Sequence, residues 1–209
     1  MTITKIEPQK KRKDRYSVFI DGGFAFGMDA VDVIRYKLKE GAEIGREQLA
    51  GVMENAVYAK ALDKALRYLQ ARPRSRAEIQ KKLSWEEVPD DIIQKVIDKL
   101  ESYHYIDDET YARDIIASAA RKQYGAQKVR QELWRRGIPR AMSDRLLAED
   151  PPDERSAAKN VLAAKYPAPP ADAREKKRCF DFLCRRGFSF DVAREAVQSF
   201  SGGGDEWAE

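Results

Sequence analysis

The sequence predicts a mainly α-helical protein: an elongated array of three tandem three-helix repeats, preceded by a small N-terminal α+β segment that contains a β-hairpin. Three observations lead there. The phrase LWRRGIPRAM, from Leu133, returns fifty residues later as LCRRGFSFDV, from Leu183. Sliding the chain on itself by that interval aligns Leu83 with Leu133 and Leu183, Val88 with Ile138 and Phe188, and Ile79 with Val129 and Cys179. It also aligns Ile92 with Met142 and Val192, and Ala61 with Tyr111 and Val161. The opening stretch follows a different period: RYSVFIDGGFAFGMD alternates, turns at Asp21-Gly22-Gly23, and alternates again, which is a hairpin signal.

The expected divisions are an N-terminal segment over 1–50, repeats over 51–105, 106–150 and 151–200, and a disordered tail over 201–209, SGGGDEWAE. ITKIEPQ adds a candidate third strand to the hairpin. AVDVIRYKL, Ala30 to Leu38, reads as a short helix ended by Gly41, and from Arg46 a helical pattern runs into the first repeat. There Ala61, Leu62, Ala65, Leu66 and Leu69 recur at helical spacing until Pro73 interrupts. Ser75, with Glu78 three residues on, is a capping box for helix two, which turns Ile79 and Leu83 inward. Val88-Pro89-Asp90 leads into helix three, carrying Ile92, Ile93, Val96, Ile97 and Leu100. In the second repeat Tyr111, Ile115 and Ile116 mark helix one, Tyr124-Gly125 breaks it, and Val129 and Leu133 mark helix two. Gly137 is its left-handed stop, and Pro139 stands in the first turn of helix three. The first repeat departs from the pattern, with Glu87 where Gly137 and Gly187 stand. The third inserts prolines at YPAPPADAREKK, which lengthens the connection between its first two helices. Units of about fifty residues bury little core alone, so stacking of neighbours is expected.

Composition excludes several classes. With 35% charged and 43% apolar residues, the chain is too apolar for disorder and too charged for a membrane protein. No apolar run has the length of a transmembrane helix, and MTITKIEPQKKRKDRY lacks the apolar core of a secretory signal. Cys179 and Cys184, five apart on one predicted helix, point to different faces and do not pair. A reduced, cytoplasmic monomer is expected.

No catalytic or metal site stands out, and no cofactor is expected. His104, the one histidine, has no nucleophile pattern around it and reads as a helix-end residue. Asp107, Asp108 and Glu109 have the chemistry to hold Mg²⁺, as in a metal-dependent nuclease. Their place before a helix favours capping instead. Cys179 and Cys184 lack the further ligands of a zinc site. Tyr58, Tyr68, Tyr103, Tyr111 and Trp134 read as core or inter-repeat packing rather than base-stacking platforms.

Basic blocks recur with the repeat. The first runs from Arg67 to Lys82, through Arg72, Arg74, Arg76 and Lys81, against Glu78 alone. The second holds Arg121, Lys122, Lys128, Arg130, Arg135 and Arg136 against Glu132 alone; the third holds Arg174, Lys176, Lys177, Arg178, Arg185 and Arg186 against Glu175 and Asp181. A charge run is ordinarily a solvated face with pairing along the helix, but acidic partners are scarce inside these blocks. A positive stripe along stacked helices suits a polyanion, and arginine favours phosphate or carboxylate. The candidate binding set is therefore Arg72, Arg74, Arg76, Lys81, Lys82, Arg121, Lys122, Lys128, Arg130, Arg135, Arg136, Lys177, Arg185 and Arg186. Arg135, Arg136, Arg185 and Arg186 also flank a helix end, where they complement its dipole. Two further readings use the same features. One is a duplex-DNA reader, for which Ala141, Met142 and Ser143 are poor base-contacting residues; the other is a protein-only scaffold.

The phrases RPRSRAEIQKKL, YIDDETYARD, YGAQKVRQELWRRGI and FLCRRGFSFDVAREAV together resemble the RecX family, regulators of the RecA recombinase. The resemblance covers about residues 55–200, and the hairpin segment looks like the extension on longer members. It implies a non-enzymatic regulator in DNA repair, homologous recombination and the SOS response. Such a protein binds the groove of the RecA nucleoprotein filament, contacts single-stranded DNA, with double-stranded DNA as a second partner to test, and needs no membrane. It also implies restraint of RecA's ATPase, strand exchange and coprotease activity. The positions it carries over are Arg72, Arg74 and Arg76, then Lys128, Arg130, Arg135 and Arg136, then Arg185 and Arg186.

Overall fold

The computed structural model describes residues 1–10 and 12–202. The stretch 203–209 of the expected tail lies outside the described residues. The chain is mainly helical, with one three-stranded antiparallel sheet at its start. It divides into two compact units: Met1–Pro73 with Ile79–Ile106, and Arg74–Glu78 with the chain from Asp107 onward.

In the first unit, β1 (Ile3–Gln9), β2 (Arg12–Ile20) and β3 (Gly23–Asp29) pair in sequence order, so ITKIEPQ is the third strand of the sheet. Asp21 and Gly22 make the two-residue β2–β3 turn with φ of 48° and 86°, the left-handed conformations that suit the twist of a hairpin. The Asp21 carboxylate also accepts from the Thr2 amide at 2.8 Å, fastening the turn to the chain start. α1 (Ala30–Arg35) is shorter than expected. Lys37, with φ of 53°, stops it before Gly41 is reached, and this frees Leu38 to turn into the core.

α2 (Arg46–Ala71) is one helix of 26 residues, and the expected division at 50/51 falls inside it. Its first half sends Val52 and Ala56 against Ile3, Val18, Phe26 and Met28 of the sheet. Its second half sends Ala61 and Ala65 into another core, formed with Ile79 and Leu83 of α3 (Arg76–Trp85) and with Ile93, Val96, Ile97 and Leu100 of α4 (Asp90–Ser102). One helix thus serves two cores.

The second unit holds α5 (Asp108–Arg121), α6 (Ala126–Arg135), α7 (Arg140–Glu149), α8 (Glu154–Lys165), α9 (Ala173–Arg185) and α10 (Phe190–Phe200). Ala112, Val129, Leu133, Ile138, Leu146 and Leu147 form one core; Ala158, Leu162, Cys179, Leu183, Phe188 and Val197 form the other. The fifty-residue alignment reappears in burial: Leu83, Leu133 and Leu183 are all fully buried. Pro139 takes the N-cap position of α7, one residue before the helix, where its missing N–H is again without cost. In the third repeat the first two helices are joined by residues 166–172, against 72–75 and 122–125 in the others, as its prolines require.

The second unit shows how the repeats are joined. Ser75 Oγ donates to the carbonyl of Arg136, and fifty residues on the Gly125 amide donates to the carbonyl of Arg186 at 3.0 Å. The Arg76 amide donates to Asp108 at 2.8 Å, and its counterpart, the Ala126 amide, to Glu154 at 2.7 Å. Asp108 and Glu154 are each the first residue of a helix. Each carboxylate thus satisfies an amide at the start of another helix, a donor that has no partner within its own helix. Gly137 and Gly187 hold φ of 73° and 87°, and a Cβ on either would strike Ala77 or Lys128. Glu87 takes the same left-handed conformation at φ 56° and is exposed.

Candidate nucleic-acid interface

The acidic motif is fully committed to structure. Asp107 caps α5, accepting from the Thr110 amide at 3.0 Å. Asp108 caps the start of α3, and Glu109 joins Arg113, Arg145 and Glu149 in a four-membered ion-pair ring between α5 and α7. The Arg145 and Arg113 hydrogen bonds hold Glu109 below the ordinary carboxylate range. Among the described residues no cluster of His, Cys, Asp and Glu is placed to hold a metal ion, and no helix is long and apolar enough to cross a membrane. His104 follows α4 in a left-handed conformation, a helix-end residue. On α9, Cys179 is buried and Cys184 exposed, on different faces.

The fourteen basic candidates separate into two groups. Several are internal ties. Arg74, almost buried, pairs with Glu78. Lys82 pairs with Glu86 at 2.9 Å, and Arg130 with Asp144 at 3.2 Å. Arg72 reaches the neighbouring Pro73 carbonyl, and the Arg76 amide is capped by Asp108. Lys128 sets its ammonium 4.6 Å from the centre of the Tyr124 ring, a cation–π contact.

Arg136 and Arg186 change meaning. Arg136 donates to Glu132 at 2.8 Å and to the Tyr111 hydroxyl at 3.2 Å, and it faces Glu78 at 3.7 Å. Arg186 donates to the carbonyls of Lys122 and Gln123 and lies 4.8 Å from the Tyr124 ring. The second arginine of each RRG phrase is thus turned back onto the fold: Arg136 meets carboxylates and a hydroxyl, and Arg186 meets carbonyls that the end of α5 leaves without helical partners.

The first arginine of each phrase is not turned back. Arg135 and Arg185 are the last residues of α6 and α9, exposed, and without an ion-pair partner among the described residues. Lys81, Arg121, Lys122 and Lys177 share that condition. These six are the exposed cations open to a ligand; Lys128, half-buried and in contact with a ring only, also keeps its charge without a carboxylate partner among the described residues.

Two aromatic expectations require correction. Trp134 is 75% exposed and Tyr103 60% exposed, so neither is packing material. Leu133 takes the inward position on α6, and the next residue, about 100° around the helix, faces outward. Tyr103 follows α4 after Leu100 has made the last inward contact. Tyr58, Tyr68 and Tyr111 pack against cores as expected. The signal for Trp134 is its register: it follows the inward Leu133 by one residue, which turns it to solvent beside Arg135.

Fold and surface define a tandem three-helix-repeat protein that carries arginines open to a ligand at equivalent helix ends. The chain belongs to the RecX family: the RecX N-terminal domain matches residues 1–45, and the first, second and third RecX three-helix domains match 61–100, 107–147 and 153–197. Among curated relatives, "Regulatory protein RecX" of Clostridioides difficile (strain 630) is 29% identical, covering 93% of each chain. That of Bacillus velezensis (strain DSM 23117) is 31% identical over 99% of this chain and 80% of the relative. A crystal structure of regulatory protein RecX superposes with a TM-score of 0.65 at 28% identity, covering 95% of this chain and 98% of the other. The RecX structure from Lactobacillus salivarius, at 22% identity and a TM-score of 0.60, shares the fold.

Proposed function

We propose that this chain is a non-enzymatic regulator of RecA that binds the groove of the RecA–single-stranded-DNA filament. There it restrains ATP turnover, strand exchange and coprotease activity in DNA repair and recombination. It acts in the cytoplasm as a monomer, and its N-terminal segment and three repeats are the units that engage the filament. The observation that carries the reading is the pair Arg135 and Arg185, exposed and without an ion-pair partner among the described residues, at equivalent helix ends of a RecX-family chain. Arginine at such a place recognises phosphate or carboxylate in a fixed fork geometry. The exposed Trp134 next to Arg135 favours DNA over an acidic protein surface as the group met there, since an indole stacks on any base of a single strand.

The test is the ATPase rate of a RecA recombinase on single-stranded DNA, with this protein in modest excess, native and as the Arg135→Glu/Arg185→Glu double variant. The native chain is expected to suppress turnover and the variant to lose that suppression while keeping its melting temperature. Equal suppression by both would remove these arginines from the interface, and no suppression by the folded native chain would refute the regulatory reading.

A further inference from the structure

The second repeat has a cleft lined by both apolar and basic side chains. It lies between α5 and α6 and has a volume of about 350 Å³. Its lining comes from one face of each helix and the residue that ends it: Ile115, Ser118 and Ala119 on α5 with Lys122 just after it, and Lys128, Val129 and Glu132 on α6 with Arg136 just after it. Shifting by fifty residues places Tyr68 where Ser118 stands, and Phe182 where Glu132 stands. Tyr68 and Phe182 each pack against the core of their own repeat. The small Ser118 leaves that space open in the second repeat.

The lining has the chemistry of a ligand site. Ile115, Ala119 and Val129 supply apolar surface; Lys122, Lys128 and Arg136 supply positive charge. Glu132 is the one carboxylate, and it is held by Arg136 at 2.8 Å, which neutralises both. Lys122 and Lys128 have no ion-pair partner among the described residues, so the cleft keeps an uncompensated positive charge. A further guanidinium, that of Arg186, lies over the Tyr124 ring that also lines the cleft, and its Nε is buried without a hydrogen-bond partner. Ligand pockets span about 300–1,000 Å³, with apolar walls and a few placed polar groups. This volume is at the lower end, suited to one nucleotide.

We infer that the cleft binds a single nucleoside monophosphate unit, with its phosphate between Lys122 and Lys128 and its base against Ile115, Ala119 and Val129. The unit comes either as a free mononucleotide or as one residue of a single strand. The site is defined by its own lining and does not rest on the filament reading.

The experiment is an amide ¹H–¹⁵N titration of the full chain with dTMP, an oligothymidylate single strand and inorganic phosphate. It is repeated with Ser118→Tyr, which copies the first repeat, and with Lys122→Glu at an exposed position. With dTMP, the amides of Ser118, Lys122 and Lys128 are expected to shift, and both variants are expected to weaken binding about tenfold or more. Shifts at these amides with the strand but not with dTMP assign the nucleotide to a strand and support the site. Undiminished binding in Lys122→Glu, shifts elsewhere only, equal response to phosphate alone, or no response to any probe would each overturn it. Lys122→Glu, with its melting temperature as control, keeps the test decisive if Ser118→Tyr unfolds.

Discussion

The backbone of Gly137 lies against the methyl group of Ala77, with no room for a side chain between them. Fifty residues on, Gly187 meets Lys128 in the same way. Both glycines also hold positive φ, so each is required twice over, by conformation and by space. The RRG phrase recurs because it writes this junction: a helix end, a glycine stop against which another helix begins, and a buried apolar residue.

Replacing Gly137 or Gly187 with Val is therefore expected to cost roughly 2–4 kcal/mol, combining left-handed strain with overpacking. Thermal or urea unfolding reads this directly. Glu87→Gly is the counterpart. Glu87 is left-handed and exposed, so glycine there is expected to be neutral or stabilising by up to about 1 kcal/mol. Losses below about 1 kcal/mol at Gly137 and Gly187 would show that packing against the glycine contributes nothing.

The two arginines of RRG are expected to separate experimentally. Arg136→Glu brings a third carboxylate to Glu78 and Glu132 and is expected to destabilise by roughly 1–3 kcal/mol. Arg135→Glu is expected to leave the melting temperature unchanged and to lower affinity for single-stranded DNA. It should also flatten the salt dependence of that affinity, since each lost phosphate contact reduces the slope by about one. A stability loss at Arg135 equal to that at Arg136 would contradict the division of roles.

Arg186→Ala removes donors to the carbonyls of Lys122 and Gln123 and a cation from the Tyr124 ring. A loss of about 1–3 kcal/mol is expected. Hydrogen exchange is expected to rise first at the end of α5 and the start of α6, where those carbonyls lie. Unchanged protection there would show that the clamp carries no load.

Glu86, held between Lys64 and Lys82, has its pKa lowered to about 2, chiefly by the Lys64 hydrogen bond. A carboxylate depressed in the folded state stabilises above its unfolded value, near 4.5, and that stabilisation is lost as pH falls toward 2. Unfolding monitored across that window is expected to show a shallower acid loss in Glu86→Gln than in the native chain. The difference should shrink in high salt, because the site is near the surface. Parallel pH profiles would dismiss the ion pairs as a source of stability.

The repeat, its glycine stops, the Ser75–Glu78 capping box and the hairpin turn at Asp21-Gly22 were legible in the sequence, because each depends on local backbone preference or on apolar periodicity. Periodicity also indicated which leucines are buried. It did not indicate what lies against a helix end, and so Arg136 and Arg135, adjacent and chemically alike, could not be told apart. Trp134 differs from its sequence expectation for a related reason: composition marks it as core material, while its angular position on α6 points it to solvent. The cleft at Ser118 was invisible because a missing side chain leaves no signal until its neighbours are placed around it.

The sequence by itself determined the family, the three-helix units and the hairpin, since these follow from local periods of about 3.6 and 2 residues and from the positions of glycine and proline. Only the tertiary structure decided which charges are fasteners and which are free, why Glu87 can stand where glycine is otherwise needed, and that the second repeat keeps an open cleft. Those properties belong to pairs of residues far apart in the chain, such as Ser75 with Arg136 or Arg186 with Gln123. Distance along a sequence does not encode distance in space.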